Sequence, residues 1–191
     1  MGDKYVITSA HCTEGENPSN VFVRLGDTSL DEEFEATSLT LGVANIIQHP
    51  GFDYTLEYLE YGLAATNENV IAVLVLNDTV SLTEYPNIKP ACLPEAGALF
   101  PGTATATGWG SAFAYTEYTE VVWVTASLNE VDMTVLDDED CEELNFDEFN
   151  TLYLDMGDDM ICAGSRDSSN GRLVFLFTFL RYFKLTSLFK A

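Results

Sequence analysis

Positive charge is scarce in this chain. Lys and Arg together number 8 against 31 Asp and Glu, for a formal net charge of −23. Phosphate binding needs a basic face and a field of this sign repels polyanions, so nucleic acid is excluded as a partner. Membrane-length apolar runs are missing too. The apolar stretch near the C-terminus, Leu173 to Leu180 with one threonine, falls well short of the ~20 residues a spanning helix needs, and Arg181 and Lys184 break it. No membrane span is expected. The opening "MGDKYVITSAHC" shows no basic stretch ahead of a longer apolar one, so no signal peptide is visible in it. Cysteine is limited to Cys12, Cys92, Cys141 and Cys162, with no C-x-x-C pair of the kind that holds zinc. Four cysteines permit three pairings, and their number alone sets no redox compartment.

What is present argues for a folded domain: 191 residues, 47% hydrophobic and 12% aromatic, suffice for one sizeable core. The charge is unevenly placed. All the acidic residues fall within residues 1–171, where Lys4, Arg24, Lys89 and Arg166 are the only Lys or Arg. The last 20 residues, "RLVFLFTFLRYFKLTSLFKA", lack Asp, Glu, Gly and Pro and carry the other four cations, which do not gather on one helical face. This predicts a domain over 1–171 and an unrelated basic apolar tail over 172–191.

Short β-like runs bounded by turn residues dominate the domain. They are "VFVRLG" (21–26), "ANIIQHP" (44–50), "VIAVLVL" (70–76), "TATATGWG" (103–110), "VVWVTASLNEVDMTVL" (121–136) and "MICAG" (160–164). The spacing predicts an all-β barrel or sandwich. One segment differs, "LDDEDCEELNF" at 136–146, whose acidic first turn predicts a single short helix with Cys141 on its inner side. Asn77-Asp78-Thr79 forms an N-glycosylation sequon, which favours a secreted setting.

Of the two histidines, His11 lies where a short apolar run gives way to a turn, in "YVITSAHC". A histidine so placed is suited to moving a proton near neutral pH. The octapeptide resembles the histidine motif of trypsin-like serine proteases (the chymotrypsin family), in which a strand ends in Thr-Ala-Ala-His-Cys. "VRLGD", "IIQHPGF", "VIAVLVLND", "KPACLPEAG", "PGTATATGWG", "LNEVDMTVLDDEDC" and "DMICAG" follow in family order. The resemblance runs from Tyr5 to Gly171 and corresponds to the middle of a complete protease domain. It implies a partial form of the family's fold, two antiparallel β-barrels with the active site in the cleft between them.

Residue by residue, the resemblance makes His11 the general base of acyl transfer. His49, before Pro50, reads as a structural turn residue. Asp167 matches the acid at the floor of the primary specificity pocket, which pairs with Arg or Lys of the substrate. Gly171 matches a backbone donor of the oxyanion hole. Other positions depart from the pattern. Val70 stands where the family has the aspartate that holds the imidazole in its working tautomer, a loss worth about 10⁴ in turnover in the template. Glu68, two residues along a strand and about 6.6 Å away, is too far to replace it. Arg172 stands in place of an Asp and Leu173 in place of the nucleophilic Ser, while Ser168 and Ser169 come too early in the turn. The family's amino-terminal Ile-Val-Gly-Gly has no counterpart, and Ala104 stands where many members have cysteine. The register and the charge break together after Gly171, as for a coding sequence leaving its exon or a natural alternative C-terminus.

By the same resemblance Cys141 and Cys162 form a disulfide, while Cys12 and Cys92 stay unpaired because their family partners lie upstream of Met1. The acidic stretches 26–35 and 137–143 lack EF-hand spacing and read as solvated loops, so no metal and no cofactor is expected. Two functions follow as expectations. One is a trypsin-like serine endopeptidase acting on proteins or peptides after Arg or Lys, secreted, with this chain inactive as written. The other is a non-catalytic homologue that keeps the cleft as a secreted binding surface. Missing barrel strands leave open sheet edges, so aggregation is expected.

Overall fold

The computed structural model describes residues 3–32, 37–59, 62–95, 98, 102–109, 112–116, 119–123, 126–137, 152–154, 160–164 and 177–180. In chain order the strands are β1 (Tyr5–Thr8), β2 (Phe22–Leu25), β3 (Leu39–Gln48), β4 (Asp53–Leu59), β5 (Gly62–Glu68), β6 (Ala72–Leu76), β7 (Gly102–Gly108), β8 (Ala112–Thr116), β9 (Thr119–Trp123), β10 (Asn129–Val135), β11 (Leu152–Leu154), β12 (Met160–Gly164) and β13 (Phe177–Leu180). The only helical turns among the described residues are two 3-10 turns, His11–Thr13 and Pro18–Asn20. The fold is mostly antiparallel β, as expected. The helix expected over 136–146 lies, beyond its first two residues, outside the described residues.

The first sheet has the order β1-β6-β3-β2. Its central strand, "AVLVL", is aliphatic throughout and alternates in burial, with Ala72, Leu74 and Leu76 turned inward. β3 serves two partners. Its first part pairs with β2, from Leu39 opposite Leu25 to Gly42 opposite Phe22. Its remainder pairs with β6, ending with Gln48 opposite Ala72. The register slips between Val43 and Asn45, and a bulge of this kind bends a strand enough to curl the sheet on itself. The curl encloses Val23, Val43, Leu74, Leu76, Val80 and Ile88. Each large aliphatic side chain taken out of water there contributes about 1.5–3 kcal/mol before its entropy cost.

The second sheet has the order β13-β12-β10-β7 and buries Met133, Ile161 and Ala163. Its edge strand, Phe177–Leu180, comes from the basic apolar tail and pairs with Met160–Ala163. The two sheets are tied through backbone. Leu30 N donates to Ala126 O and Leu128 N to Thr28 O, both at 2.8 Å. Thr28 O also accepts from Trp109 Nε1 at 3.4 Å. Two further units were not foreseen as hairpins: β4–β5, to which β11 adds in parallel beside Leu63–Ala65, and β8–β9, whose second strand takes in the start of the run expected over 121–136.

The first acidic stretch carries its own cation. Arg24 Nε stands 2.9 Å from Asp27 Oδ2, and Arg24 Nη2 donates to Glu32 O at 2.7 Å. Asp27 is buried and its Oδ1 has no hydrogen-bond partner. The guanidinium therefore gathers the start of the loop around one positive centre. Among the described residues, no group of three or more His, Cys, Asp or Glu is placed to hold a metal ion. Likewise among them, no helix is long and apolar enough to cross a membrane.

Candidate functional site

His11 opens the 3-10 turn that directly follows β1, and it is exposed. The turn is anchored from below. Ala10 is fully buried, and its carbonyl accepts from Thr13 N at 3.0 Å and Thr13 Oγ1 at 2.9 Å. It also accepts from Gln48 Nε2 at 3.0 Å. Three donors on one carbonyl fix the point at which the chain leaves the sheet, and with it the root of the imidazole.

The β1–β6 register brings the second element of the site into place. Thr8 stands opposite Ala72, so the residues after Thr8 run back past those before Ala72. There Asn69 takes a left-handed backbone with φ 51°, and Ile71 N donates to Asn69 O at 2.6 Å, which makes Val70 the centre of a three-residue turn. This turn is pinned on its far side by Asn69 Nδ2, which donates to Gly51 O at 2.9 Å. Its near side meets Ser9, whose Oγ lies 3.5 Å from Val70 O. The turn around Val70 thus lies beside Ser9, two residues before the histidine.

The Ser9 hydroxyl lies 2.8 Å from His11 Nδ1. The sequence reading missed this residue, although the signal was present: Ser9 stands where the motif has its first alanine, a hydroxyl two residues ahead of the histidine. Glu68 ends β5 opposite Asp53 and is exposed. His49 behaves as a turn residue, its Nδ1 accepting from Gly51 N at 3.1 Å. Cys12 and Cys92 are free, exposed thiols. Asp167, Gly171, Arg172 and Leu173 lie outside the described residues, as does Cys141. Cys162 lies on β12 opposite Thr178, with its side chain outside the description. Asn77 and Thr79 of the sequon are exposed on the bend after β6.

This arrangement can hold an imidazole in one place and offer its Nδ1 a neutral hydroxyl.

The trypsin family model matches residues 1–172. Trypsin-1 of Astacus astacus is 30% identical over 177 residues, covering 88% of this chain and 64% of its own length. Chymotrypsin-C of Bos taurus is 36% identical over 111 residues, covering 57% of this chain and 36% of its own. The structure of neuropsin, a serine protease expressed in the limbic system of mouse brain, superposes with a TM-score of 0.60 at 23% identity. It covers 97% of this chain and 70% of its own, a likeness of fold. The chain thus spans less than two thirds of the length of the Astacus trypsin. A match over 1–172, joined to a histidine turn rooted between β1 and β3, assigns the chain to the trypsin family of serine proteases.

Proposed function

We propose that this chain is a catalytically silent member of the trypsin family, derived from a secreted endopeptidase that cleaves proteins and peptides after Arg or Lys. The observation that carries this reading is in the sequence: Leu173 stands where the family has its nucleophilic serine and Val70 where it has the aspartate. Nδ1 faces the Ser9 hydroxyl, and the neighbouring chain at Val70 contributes a backbone carbonyl. Acyl transfer in this family requires the histidine to take a proton from a serine and carry a positive charge through the transition state. A carboxylate at Nδ1 stabilises that charge; a neutral hydroxyl does so far less, because it brings a dipole in place of a full negative charge. Leu173 at the nucleophile position removes the attacking atom as well.

His11 is then the relic of a general base. Asp167 is the relic of the pocket floor and Gly171 of the oxyanion donor, and Asp167 is the reason for assigning the ancestral enzyme an Arg or Lys preference. The Cys141–Cys162 disulfide and an extracellular setting belong to the same reading, supported by the family and by the exposed sequon. The domain limits 1–171 and 172–191 are supported by the charge boundary and by the end of the family match at residue 172, while the pairing of Phe177–Leu180 with β12 ties part of the tail to the domain. The same loss of chemistry favours a second role, in which the cleft binds peptides without cutting them. Hydrolysis of Arg and Lys esters tests the first reading: wild type and His11→Ala are expected to be equally inactive. Turnover by the wild type that disappears in His11→Ala would overturn it. Retention of Arg-containing peptides without cleavage would support the binding role.

A further inference from the structure

We propose that Asn77 carries an N-linked oligosaccharide and that this glycan covers Phe22 at the open edge of the first sheet. The proposal rests on the secreted setting given above, because the transfer takes place in the secretory route.

The sequence allows one acceptor. Only Asn77 is followed two residues on by Ser or Thr with a residue other than Pro between them; Asn17-Pro18-Ser19 has the outer pattern, but its proline excludes it. The acceptor sits on a pinned bend. Asn77, Asp78 and Thr79 are all exposed, and the residues on either side, Leu76 and Val80, are buried. Leu76 N donates to Lys4 O at 2.9 Å, Asn77 N to Gly42 O at 3.0 Å and Val80 N to Asp3 O at 2.8 Å. The tripeptide therefore stays on the surface once the chain has folded, and a sugar chain on it displaces nothing from the core. In the transfer, C1 of the first sugar bonds to Asn77 Nδ2, and its bond to the pyrophosphate of a lipid-linked oligosaccharide breaks. Nδ2 gives up one hydrogen as a proton, and the lipid pyrophosphate leaves with the electron pair of the broken bond.

A second relationship gives the glycan its role. Asn77 Nδ2 lies over Gly42, where a Cβ would stand 2.8 Å from it. Gly42 is in turn the register partner of Phe22. Antiparallel partners project from the same face with Cβ atoms roughly 5 Å apart, so Asn77 Nδ2 is no more than about 8 Å from the Cβ of Phe22. Phe22 is 66% exposed on β2, an end strand of the first sheet among the described strands. An N-linked oligosaccharide is bulky and strongly hydrated. Attached this close, it spreads over the aromatic ring and hinders a second chain from adding to β2. The modification supplies an edge protection that the polypeptide does not provide with its own side chains.

The test uses the full chain behind a cleavable secretory leader in cultured animal cells, purified from medium and cells together so that retained protein is counted. Peptide mass spectrometry after glycosidase treatment is expected to mark position 77 and to leave Asn17 unmarked. Asn77→Gln and Thr79→Ala should lose the glycan, whereas Thr79→Ser keeps a hydroxyl and should retain it. Sedimentation velocity at equal concentration reads the shielding. Asn77→Gln should shift the chain toward larger species. Phe22→Lys should reverse that shift in the Asn77→Gln background and change little when the glycan is present. An unmodified Asn77 in the wild type would overturn the site. No shift on losing the glycan, or an equal effect of Phe22→Lys with and without it, would overturn the shielding, since a sugar that merely raises solubility does not act through one side chain. A natural chain found only outside the secretory route would defeat the secreted setting, a failure distinct from that of the acceptor, which the leader-bearing chain reads by itself.

Discussion

Gln48, the last residue of β3, donates through Nε2 to the carbonyl of Ala10 at 3.0 Å and approaches Thr13 Oγ1 at 3.2 Å. One amide thus ties the far end of a ten-residue strand to the base of the histidine turn. Gln48→Leu removes this tie but leaves Ala10 O with both donors of Thr13, so the expected cost is about 1 kcal/mol. Thr13→Val removes a buried hydroxyl that serves both Ala10 and Gln48, and should cost more, about 2 kcal/mol. Urea unfolding midpoints at constant slope measure the order. A larger loss for Gln48→Leu would contradict the bonding described.

Arg24 and Asp27 form an ion pair with one end enclosed: the side chain of Asp27 is 4% exposed and that of Arg24 30%. Arg24→Leu strands a carboxylate that already has one unpartnered oxygen. The expected loss is about 2–3 kcal/mol, below the ~3–5 of a fully enclosed pair because Arg24 keeps contact with water. Adding Asp27→Asn should recover part of it, so the double variant is more stable than the sum of the two single losses requires. Simple additivity of the urea-derived losses would count against the pairing.

Gly26 and Gly15 share a left-handed backbone with φ 71°, but their surroundings differ. A Cβ at position 26 would lie 2.5 Å from the carbonyl of Thr37, whereas at position 15 nothing stands within 4 Å. Gly15→Ala should cost only the backbone strain, about 1 kcal/mol. Gly26→Ala carries the same strain and must also displace backbone, for a loss of about 3 kcal/mol or more. Thermal unfolding of the two variants side by side checks the difference.

Among the described strands, β1 and β2 are the end strands of the first sheet, and β2 places Phe22 at 66% exposure. Ends of this kind recruit further strands. The chain is expected to self-associate, and Phe22→Lys should shift it toward monomer in sedimentation velocity runs at equal concentration. A wild type that sediments as a monomer throughout would refute this.

The strands read most clearly from sequence are those in which apolar residues alternate or crowd between turn residues: β2, β3, β6, β7, β10 and β12. In the hairpin β4–β5 the signal was present and overlooked: Asp53 to Tyr58, "DYTLEY", alternates polar and apolar residues, and only the partner strand "GLAATNE" lacks the pattern. β11 escaped for another reason. Its pairing with Leu63–Ala65 joins segments far apart in the chain, and nothing local announces a parallel partner. At the site, His11 and the valine at position 70 were legible because a motif names their places. Ser9 was not, since a serine beside a strand end is ordinary and only distance gives it a role.

The hydrogen bonds that the fold makes at position 70 are main chain: Val70 centres a three-residue turn closed from Asn69 to Ile71, and its carbonyl faces Ser9, while its side chain is half-buried. A lineage relieved of the need for chemistry could therefore change that side chain without endangering its own folding. The fold carries no memory of what stood there. Under the proposed reading, loss of the acid is a one-step edit, open in either direction as long as the turn survives. Val70→Asp should accordingly keep the turn and fold as well as the present chain, as urea unfolding of the two side by side would show.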